Sequence, residues 1–487
     1  MTEPFSYRPR RGKVAVIGGM MAYFESIMPA GFREERRDHV RAVTRPLAAE
    51  FDLVELGLWA DRGDVEPMAR RLQAEACDVL LLIPTMATPP AEIAALAAAA
   101  DLPVVIVCAH ALEHVDADYD MAALCRHSIN VGATMLGAML RRQARPIRPV
   151  LVSGFLSDAD FHARVRLAVK TASLAAQIRG LRIGRLGQPM AGYDHLGLTE
   201  DQAKASGLIV VDVPYRDWAE RVAAVTAEEI ADALATALPH LLPPQASYAC
   251  SPDLDRAIRL GVAMDQLADE LQLDCGAIAC RGPFGDGLAQ GAISCLATTL
   301  LAATGRPFAA TGDMVTAVAM LIGRTLGGAT LYCELDAVDR ARDAFLVANT
   351  GEADTGWCPA NGRFEIVDAS AHSGRQVPGV VLRHDLAPGP ATMLGATLDQ
   401  SRSERLSLVA LEGRTLELGA TALNVTNGWF QTSQRPALSA FEAWANAGAT
   451  HHGALSPGHL SEAAQWLGTL CQLPVTTIAQ NGVRNHG

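Results

Sequence analysis

The sequence predicts an α/β protein: two Rossmann-like, doubly wound α/β domains followed by a β-rich, barrel-like C-terminal domain. Three observations support this. Buried-type strands alternate with helical patterns over the first third of the chain, a second alternation follows, and from about residue 344 short alternating runs are separated by Gly, Pro and polar turns. The predicted domains are residues 1–148, 149–342 and 343–487, since a chain of 487 residues is too long for one ordinary core.

The first alternation is the clearest part of the pattern. Strands are predicted at residues 13–19, 52–58, 78–84 and 103–108. Their continuous apolar runs are typical of parallel strands that are covered on both faces. The Arg- and Pro-rich segment 141–148 indicates a domain boundary, and a strand at 149–153 is expected to open the second domain.

The C-terminal third is predicted to be mainly strands. The expected strands are residues 363–367, 379–383, 391–397, 405–413 and 414–418. Residues 451–471 are expected to return to a helix.

Composition excludes some function classes. The net charge is −12 and no long Lys/Arg block occurs, which argues against nucleic acid or an anionic membrane as the main partner. No apolar run is long enough to cross a bilayer, and the N-terminus lacks a signal-peptide pattern, so a cytoplasmic protein is expected. The 10 cysteines include no C-x-x-C pair and are interpreted as reduced thiols.

The most informative stretch is residues 304–336. Apolar residues at helical spacing follow a Thr-Gly-Asp start, which predicts a helix with Asp313 near its N-terminus; a short strand at 329–333 then leads to Glu334. Two carboxylates would therefore lie at the ends of adjacent elements, where α/β folds bind ligands. The alternative is that Asp313 is only a helix cap and Glu334 is solvated.

A histidine pair in the last domain is a second candidate. His451 and His452 are adjacent, and imidazoles combined with carboxylates suit a divalent ion such as Mn²⁺. Adjacent residues do not share a face of a helix or strand, so only one is expected to reach a metal. Two partly exposed loop histidines are the alternative interpretation.

Two polar turns complete the candidates. Residues 349–357 form a polar run with Asn349, Glu352 and Trp357, and loops of this kind often carry function. Residues 274–286 form a Gly-Pro turn in which Arg281 or Asp286 could contact a polar ligand. The alternative for residues 349–357 is a domain junction with a solvated turn, and the cysteines of residues 274–286 are interpreted as core residues.

The order of these features resembles the L-fucose isomerase and L-arabinose isomerase superfamily over most of the chain. The motifs are residues 182–190 (RIGRLGQPM), 294–297 (SCLA), 312–313 (GD), 332–335 (YCEL), 391–394 (ATML) and 450–453 (THHG). Each is short, and their order and spacing carry the resemblance.

The resemblance implies a trimer or hexamer with a Mn²⁺ site, or a site for another divalent cation, that interconverts an aldose and a ketose through an enediol. Glu334 matches a metal-binding acid, and His451 or His452 matches the metal-binding histidine. The expected catalytic residues are Asp313, Glu334, Asp286 and Glu352. The expected metal ligands are Glu334, His452, His451 and Asp313. The expected substrate contacts are Gln188, Met190, Arg281, Thr311, Asn349 and Trp357.

Three positions depart from the family pattern. Thr311 stands where relatives have a catalytic glutamate, Gly285 where they have an acid of the Gly-rich turn, and Asn349 where many have a histidine. A hydroxyl cannot replace a carboxylate base. Three hypotheses stay open: a divergent sugar isomerase with a relocated base, a hydrolase, lyase or decarboxylase for a sugar acid, and a non-catalytic sugar-binding protein.

Overall fold

A computed structural model of the chain describes residues 4–241, 252–280, 292–362, 364–369, 378–398, 404–417, 421–479 and 482–486. The chain divides into two compact units. The N-terminal unit comprises Arg10–Ile178 and Trp466–Gln472, and the C-terminal unit contains the other described residues. The three domain ranges given above stay a prediction.

The N-terminal unit is built on a parallel sheet. Its strands are β1 (Lys13–Gly19), β2 (Asp52–Trp59), β3 (Val79–Pro84), β4 (Val104–His110) and β5 (Val150–Phe155), in the order β2-β1-β3-β4-β5. Its helices are α1 (Phe32–Thr44), α2 (Arg62–Glu75), α3 (Ala91–Ala100), α4 (Met121–Arg126), α5 (Ile129–Arg141) and α6 (Ala159–Ile178). The four strands predicted before residue 110 are confirmed to within two residues at either end.

Both faces of this sheet are covered. Ala15, Ile17 and Leu82 pack on one face in a core shared with α2, α3 and α5. The alternate residues, such as Val16 and Leu81, are also almost fully buried, and α1 and α6 contact the sheet strands. Burial on both faces explains why the strands are continuous apolar runs.

The strand that was expected to open the second domain belongs to this first sheet. It is β5, which pairs in parallel with β4 through Val105↔Val150 and the positions that follow. The Arg- and Pro-rich segment before it therefore connects α5 to β5 within one unit. Such a composition marks any exposed connection, whether or not a domain boundary lies there.

The C-terminal unit contains a second parallel sheet. Its strands are β6 (Leu181–Leu186), β7 (Leu208–Asp212), β8 (Cys275–Ile278) and β9 (Phe308–Ala309), in the order β7-β6-β8-β9. Its helices are α7 (Glu200–Ala205), α8 (Tyr215–Ala224), α9 (Ala227–Asp232), α10 (Leu238–Leu241), α11 (Pro252–Glu270), α12 (Cys295–Thr304) and α13 (Met314–Gly327). Trp218, Phe308 and many aliphatic side chains form the core around it.

A closed antiparallel barrel follows in the same unit. The strands are β10 (Leu331–Asp339), β11 (Ala344–Ala348), β12 (Phe364–Asp368), β13 (Val380–His384), β14 (Gly389–Leu398), β15 (Leu406–Leu416), β16 (Asn427–Thr432), β17 (His452–Pro457), β18 (Val475–Ala479) and β19 (Gly482–His486). The ring runs β14-β17-β10-β11-β16-β15 and closes because β14 also pairs with β15. β12 and β13 form a separate hairpin, and β18 joins β15 in parallel. The predicted barrel-like character is thus confirmed.

Two predicted elements of this region are wrong. The first half of the helix expected at 451–471 is the strand β17, which follows α14 (Ala437–Asn446), and only its second half is helical, as α15 (Ser461–Cys471). The two strands expected at 405–418 are one strand, β15. Gly413, which suggested a turn, lies where the backbone oxygen of Gln431 would be only 2.1 Å from an added Cβ, so it permits a close strand approach.

Among the described residues, no helix combines the length and the apolar character that crossing a membrane requires.

Candidate metal centre

The centre of the candidate site is the pairing of β10 with β17. Glu334 on β10 is directly opposite His452, the first residue of β17. Oε1 of Glu334 lies 3.3 Å from Nε2 of His452. The imidazole is almost fully buried, whereas 37% of the Glu334 side chain is exposed. Glu334 therefore remains accessible from solvent while its partner is fixed in the barrel.

Asp313 contacts the other nitrogen of the same imidazole. It is the N-cap of α13, and its Oδ1 accepts the backbone N–H of Thr316 at 2.8 Å. Its Oδ2 lies 2.8 Å from Nδ1 of His452. One fully buried carboxylate thus caps the helix and contacts the histidine, so the helix-cap alternative is confirmed and the role of Asp313 in a site stays a prediction.

Tyr332 completes this buried group. It precedes Glu334 by two residues on β10, and its hydroxyl lies 2.7 Å from Nδ1 of His452. Nδ1 carries at most one hydrogen, which the Asp313 carboxylate attracts more strongly than a neutral phenol. The phenol can in turn donate to the carbonyl of Ala310 at 3.3 Å or to Asp313 at 3.4 Å.

The two carboxylates set the protonation of the histidine. Burial alone would lower the pKa of His452, but hydrogen bonds to Asp313 and Glu334, together with their charges, raise it to about 9. The hydrogen bond from His452 holds the pKa of Glu334 below its ordinary value, against the opposing effect of partial burial. The two carboxylates therefore favour the protonated form of His452.

His451 joins the group from the bend before β17. The ring centroids of His451 and His452 are 3.8 Å apart, because His451 lies outside the regular strand and need not point to the opposite face. Nδ1 of His451 lies 3.3 Å from Nε2 of His195, and Tyr193 packs against both rings. Both imidazoles therefore lie at the candidate site, and the expectation that only one of them reaches a metal stays a prediction.

Three of these side chains form a possible metal site. One ligand atom from each of Glu334, His451 and His452 can be chosen so that all lie within 4.8 Å of one another. One carboxylate oxygen and two imidazole nitrogens form a donor set for a divalent cation. Asp313, expected as a fourth ligand, is not in that set because it faces Nδ1, the nitrogen opposite Glu334.

A second polar cluster lies beside Tyr332. The hydroxyl of Thr311 and Sγ of Cys280 are 3.6 Å apart, and Sγ of Cys295 is 3.6 Å from Oε1 of Glu352. Burial raises the pKa of Tyr332 well above its ordinary value, and the charges of Asp313 and Glu352 act in the same direction. Glu352 thus acts electrostatically on the phenol that contacts His452.

Glu352 is unusual among these residues. It is only 4% exposed, and its Oε2 is buried without a hydrogen-bond partner among the residues that the structure describes. A buried carboxylate oxygen without a partner is energetically costly. This oxygen therefore has unused capacity to accept a hydrogen bond.

The predicted substrate contacts lie in different environments. Gln188 and Met190 follow β6. The backbone at Gln188 and Pro189 lies close to Gly312, which has a φ of +70°: a Cβ added to Gly312 would be only 2.8 Å from the backbone nitrogen of Pro189. This loop therefore lies against the start of α13. Asn349 is partly buried, and its Nδ2 has no hydrogen-bond partner in the described structure.

Trp357 is part of the fold. It is 2% exposed, packs in the barrel core and donates its indole N–H to the carbonyl of Leu455 at 3.0 Å. Its side chain is thus fully engaged in packing. Arg281 and Asp286, together with Gly285, lie outside the described residues.

Several residues of the site were not singled out from the sequence. They are Tyr332, Tyr193, His195, Cys280 and Cys295. Tyr332 could have been found, because positions i and i+2 of a strand share a face and Glu334 was already a candidate. His195 and Tyr193 carried no local signal beyond their position in a loop after a parallel strand.

Comparison with known proteins adds no family assignment: no protein-family model matches this chain, and no curated protein is similar enough to count as a relative.

Proposed function

We propose that this chain is a metal-dependent enzyme that acts on a sugar or sugar derivative by enediol chemistry, as the aldose–ketose isomerases do. The observation that carries the proposal is the approach of Glu334, His451 and His452 within one possible ligand set, with Asp313 on the far side of His452. The resemblance found in the sequence implies metal ligands of the same residue types. The substrate is then a small sugar or sugar acid, and the resemblance further implies assembly into a trimer or hexamer.

The donor set fits a divalent cation such as Mn²⁺. Glu334, His451 and His452 would hold it, because Nε2 of His452 faces Glu334 while Nδ1 is bonded to Asp313. When bound, such an ion acts as a Lewis acid that polarises a carbonyl and an adjacent hydroxyl group.

Asp313 acts on His452 as a positioning residue. A carboxylate that accepts the Nδ1 hydrogen fixes the tautomer and the orientation of a metal-binding imidazole. The N-cap bond to Thr316 in turn fixes the carboxylate of Asp313. We therefore propose that Asp313 positions His452 rather than acting as a ligand or a proton carrier.

Enediol chemistry also requires a group that moves a proton between neighbouring carbons. Three carboxylates were candidates: Asp313, Asp286 and Glu352. Asp313 is already bonded on both oxygens, and Asp286 lies outside the described residues. We assign proton transfer to Glu352, whose Oε2 has no partner among the described residues and which lies near enough to Tyr332 to influence it electrostatically.

An enzyme of another class is the alternative. Thr311 stands at the family's glutamate position, and its hydroxyl contacts Cys280, so no carboxylate is present there. That departure favours a hydrolase, lyase or decarboxylase for a sugar acid over ordinary isomerisation.

Two measurements test the proposal. Metal analysis of protein purified after growth with added Mn²⁺ should give one divalent ion per chain. Incubation in D₂O with a panel of aldoses and ketoses should then give deuterium at the carbon next to the carbonyl, together with aldose–ketose interconversion. Metal without exchange on any sugar would favour the alternative class, and absence of a stoichiometric metal would contradict the proposal.

A further inference from the structure

A cluster of cationic and imidazole side chains lies in the N-terminal unit. The strand order β2-β1-β3-β4-β5 reverses direction between β1 and β3, and ligands of such sheets bind beyond the carboxyl ends of the strands at that point. Thr85 follows β3, and His110 ends β4. Arg36 and His39 project from α1, the helix that follows β1.

Arg36 is the central residue. It is only 5% exposed, and Nη1 donates to the carbonyls of Thr85 at 3.1 Å and Arg126 at 3.2 Å, which places it beyond the end of β3. Its guanidinium also lies 4.9 Å from the centroid of the Phe32 ring. Its Nε is buried and has no hydrogen-bond partner among the described residues.

The charges in this cluster are not balanced. Arg36 forms an ion pair with Glu35, and Arg126 approaches the same carboxylate at 3.5 Å. Two guanidinium groups thus share one carboxylate. A buried or half-buried cation with an unused N–H is costly unless an acceptor is supplied.

His39 adds a second unused polar atom. It is 8% exposed, and its Nε2 is buried without a partner in the described part of the chain. Burial, followed by the charges of Arg36 and His110, lowers the pKa of His39 to about 4, against a smaller opposing effect of Glu35. The pKa of the nearby His127 is also lowered, by burial and by the charges of Arg36 and Arg126.

We propose that Arg36, His39 and Arg126 form a binding site for the anionic group of a small molecule, a carboxylate or a phosphate, at the carboxyl edge of the N-terminal sheet. An anion there supplies acceptors for Nε of Arg36 and for a ring N–H of His39. It also balances the excess positive charge of the two arginines. Guanidinium groups bind planar carboxylates and phosphates through paired N–H donors. The inference concerns a different unit from the metal centre and stands independently of the proposed function.

Calorimetric titration of the full chain with inorganic phosphate and, separately, with acetate tests the proposal. Saturable binding of at least one of them is expected, and the tighter of the two identifies the group that the site prefers. Arg126→Gln and His39→Gln should each weaken binding about tenfold, the loss of one charge-assisted hydrogen bond or its equivalent. Arg36→Lys tests whether binding needs the paired N–H donors of the guanidinium group, because lysine keeps the positive charge but lacks these paired donors.

Arg41→Gln is the matched control. Arg41 lies on the same helix, exposed, and pairs with Glu34 and Asp38, so its loss should change binding less than twofold. Absence of saturable binding of both anions up to about 10 mM, or equal binding by wild type and both Arg126→Gln and His39→Gln, would overturn the proposal. Arg126 is one-third exposed, so its variant stays informative even if changes at Arg36 prevent folding.

Discussion

Glu334 and His452 are directly opposed across the β10–β17 pair, and their side chains meet at 3.3 Å between Oε1 and Nε2. Barrel closure fixes this register, because β17 is paired with β10 on one side and with β14 on the other. A slip by one residue would move His452 to the opposite face of its strand. The metal-binding capacity that we propose therefore depends on the folded barrel.

The first prediction concerns Glu334. Glu334→Gln keeps the shape of the side chain but removes the charge that a divalent cation requires. Metal affinity, measured by competition with a chromogenic chelator, should fall by more than the about 10–100-fold that loss of an outer-shell partner costs. Asp336→Asn is the control, since Asp336 is an exposed acid on the same strand. Equal losses in both variants would mean that general surface charge, rather than a site, binds the ion.

The second prediction separates Asp313 from the ligands. Asp313→Asn keeps a side-chain oxygen for the N-cap of α13 but removes the negative charge at Nδ1 of His452. We expect a loss of about 10–100-fold in metal affinity with one ion still bound at saturation. Thermal unfolding of the apo protein checks that the cap is kept. A complete loss of stoichiometric metal would show that Asp313 is itself a ligand.

The candidate site was partly predictable from the sequence, for a physical reason. Asp313 and Glu334 are separated by one helix and one turn, so local periodicity was sufficient to place them at adjacent ends of elements. His452 comes from a distant strand and His451 from the bend before it, and only the resemblance connected them with the acids. The orientation of Asp313 toward Nδ1 could not be predicted, because a side-chain direction depends on packing among α13, β10 and β17.

The fold shows the same division between local and long-range information. The apolar run Val79–Pro84 was recognisable as a buried strand without any knowledge of its neighbours. By contrast, β17 has Gly453 and Pro457 within a short strand, and it is a strand because β10 and β14 pair with it on both sides. β5 was expected to open a second sheet for a related reason: the sequence indicates a parallel strand but not the sheet that it joins.

The third prediction concerns backbone strain at Thr311. It adopts φ 61°, a left-handed conformation that is costly for a β-branched residue. Thr311→Gly should leave the free energy of unfolding unchanged or raise it by about 1 kcal/mol, because released strain offsets the entropy of glycine. Turnover should fall, since the hydroxyl near Cys280 and Tyr332 is lost. Thr325→Gly within α13 is the control and should be destabilising; a Thr311 variant that loses as much stability would contradict the interpretation.

The fourth prediction tests proton transfer by Glu352. Glu352→Gln keeps the size of the side chain and can satisfy the contact with Cys295, but it removes the base. Deuterium incorporation from D₂O should decrease by about 10²–10⁴-fold, while metal content stays unchanged. Unaltered exchange would assign the proton transfer to another group. A loss of metal together with activity would indicate a structural effect on Tyr332 and, through it, on His452.

The last prediction concerns pH and His39. Burial is the main cause that lowers the pKa of His39 from 6.5 to about 4. The charges of Arg36, His110 and His127 act in the same direction, and the charge of Glu35 opposes them. Above pH 6.5 the ring is neutral in the folded and unfolded states, so its contribution to stability is fully present. As the pH falls from 6.5 to 4 the unfolded chain binds a proton that the folded chain does not, and stability decreases by about 3 kcal/mol at most. His39→Gln removes this titration, so the difference in free energy of unfolding between variant and wild type should shift in favour of the variant on going from pH 7 to pH 4.

Amide hydrogen exchange of β1 and β3 reports the stability of this unit by itself. The control is His114→Gln, which replaces an exposed histidine of the same unit and should keep the wild-type pH dependence. If wild type and His39→Gln lose protection in parallel as the pH falls, the acid sensitivity of the unit comes from other groups.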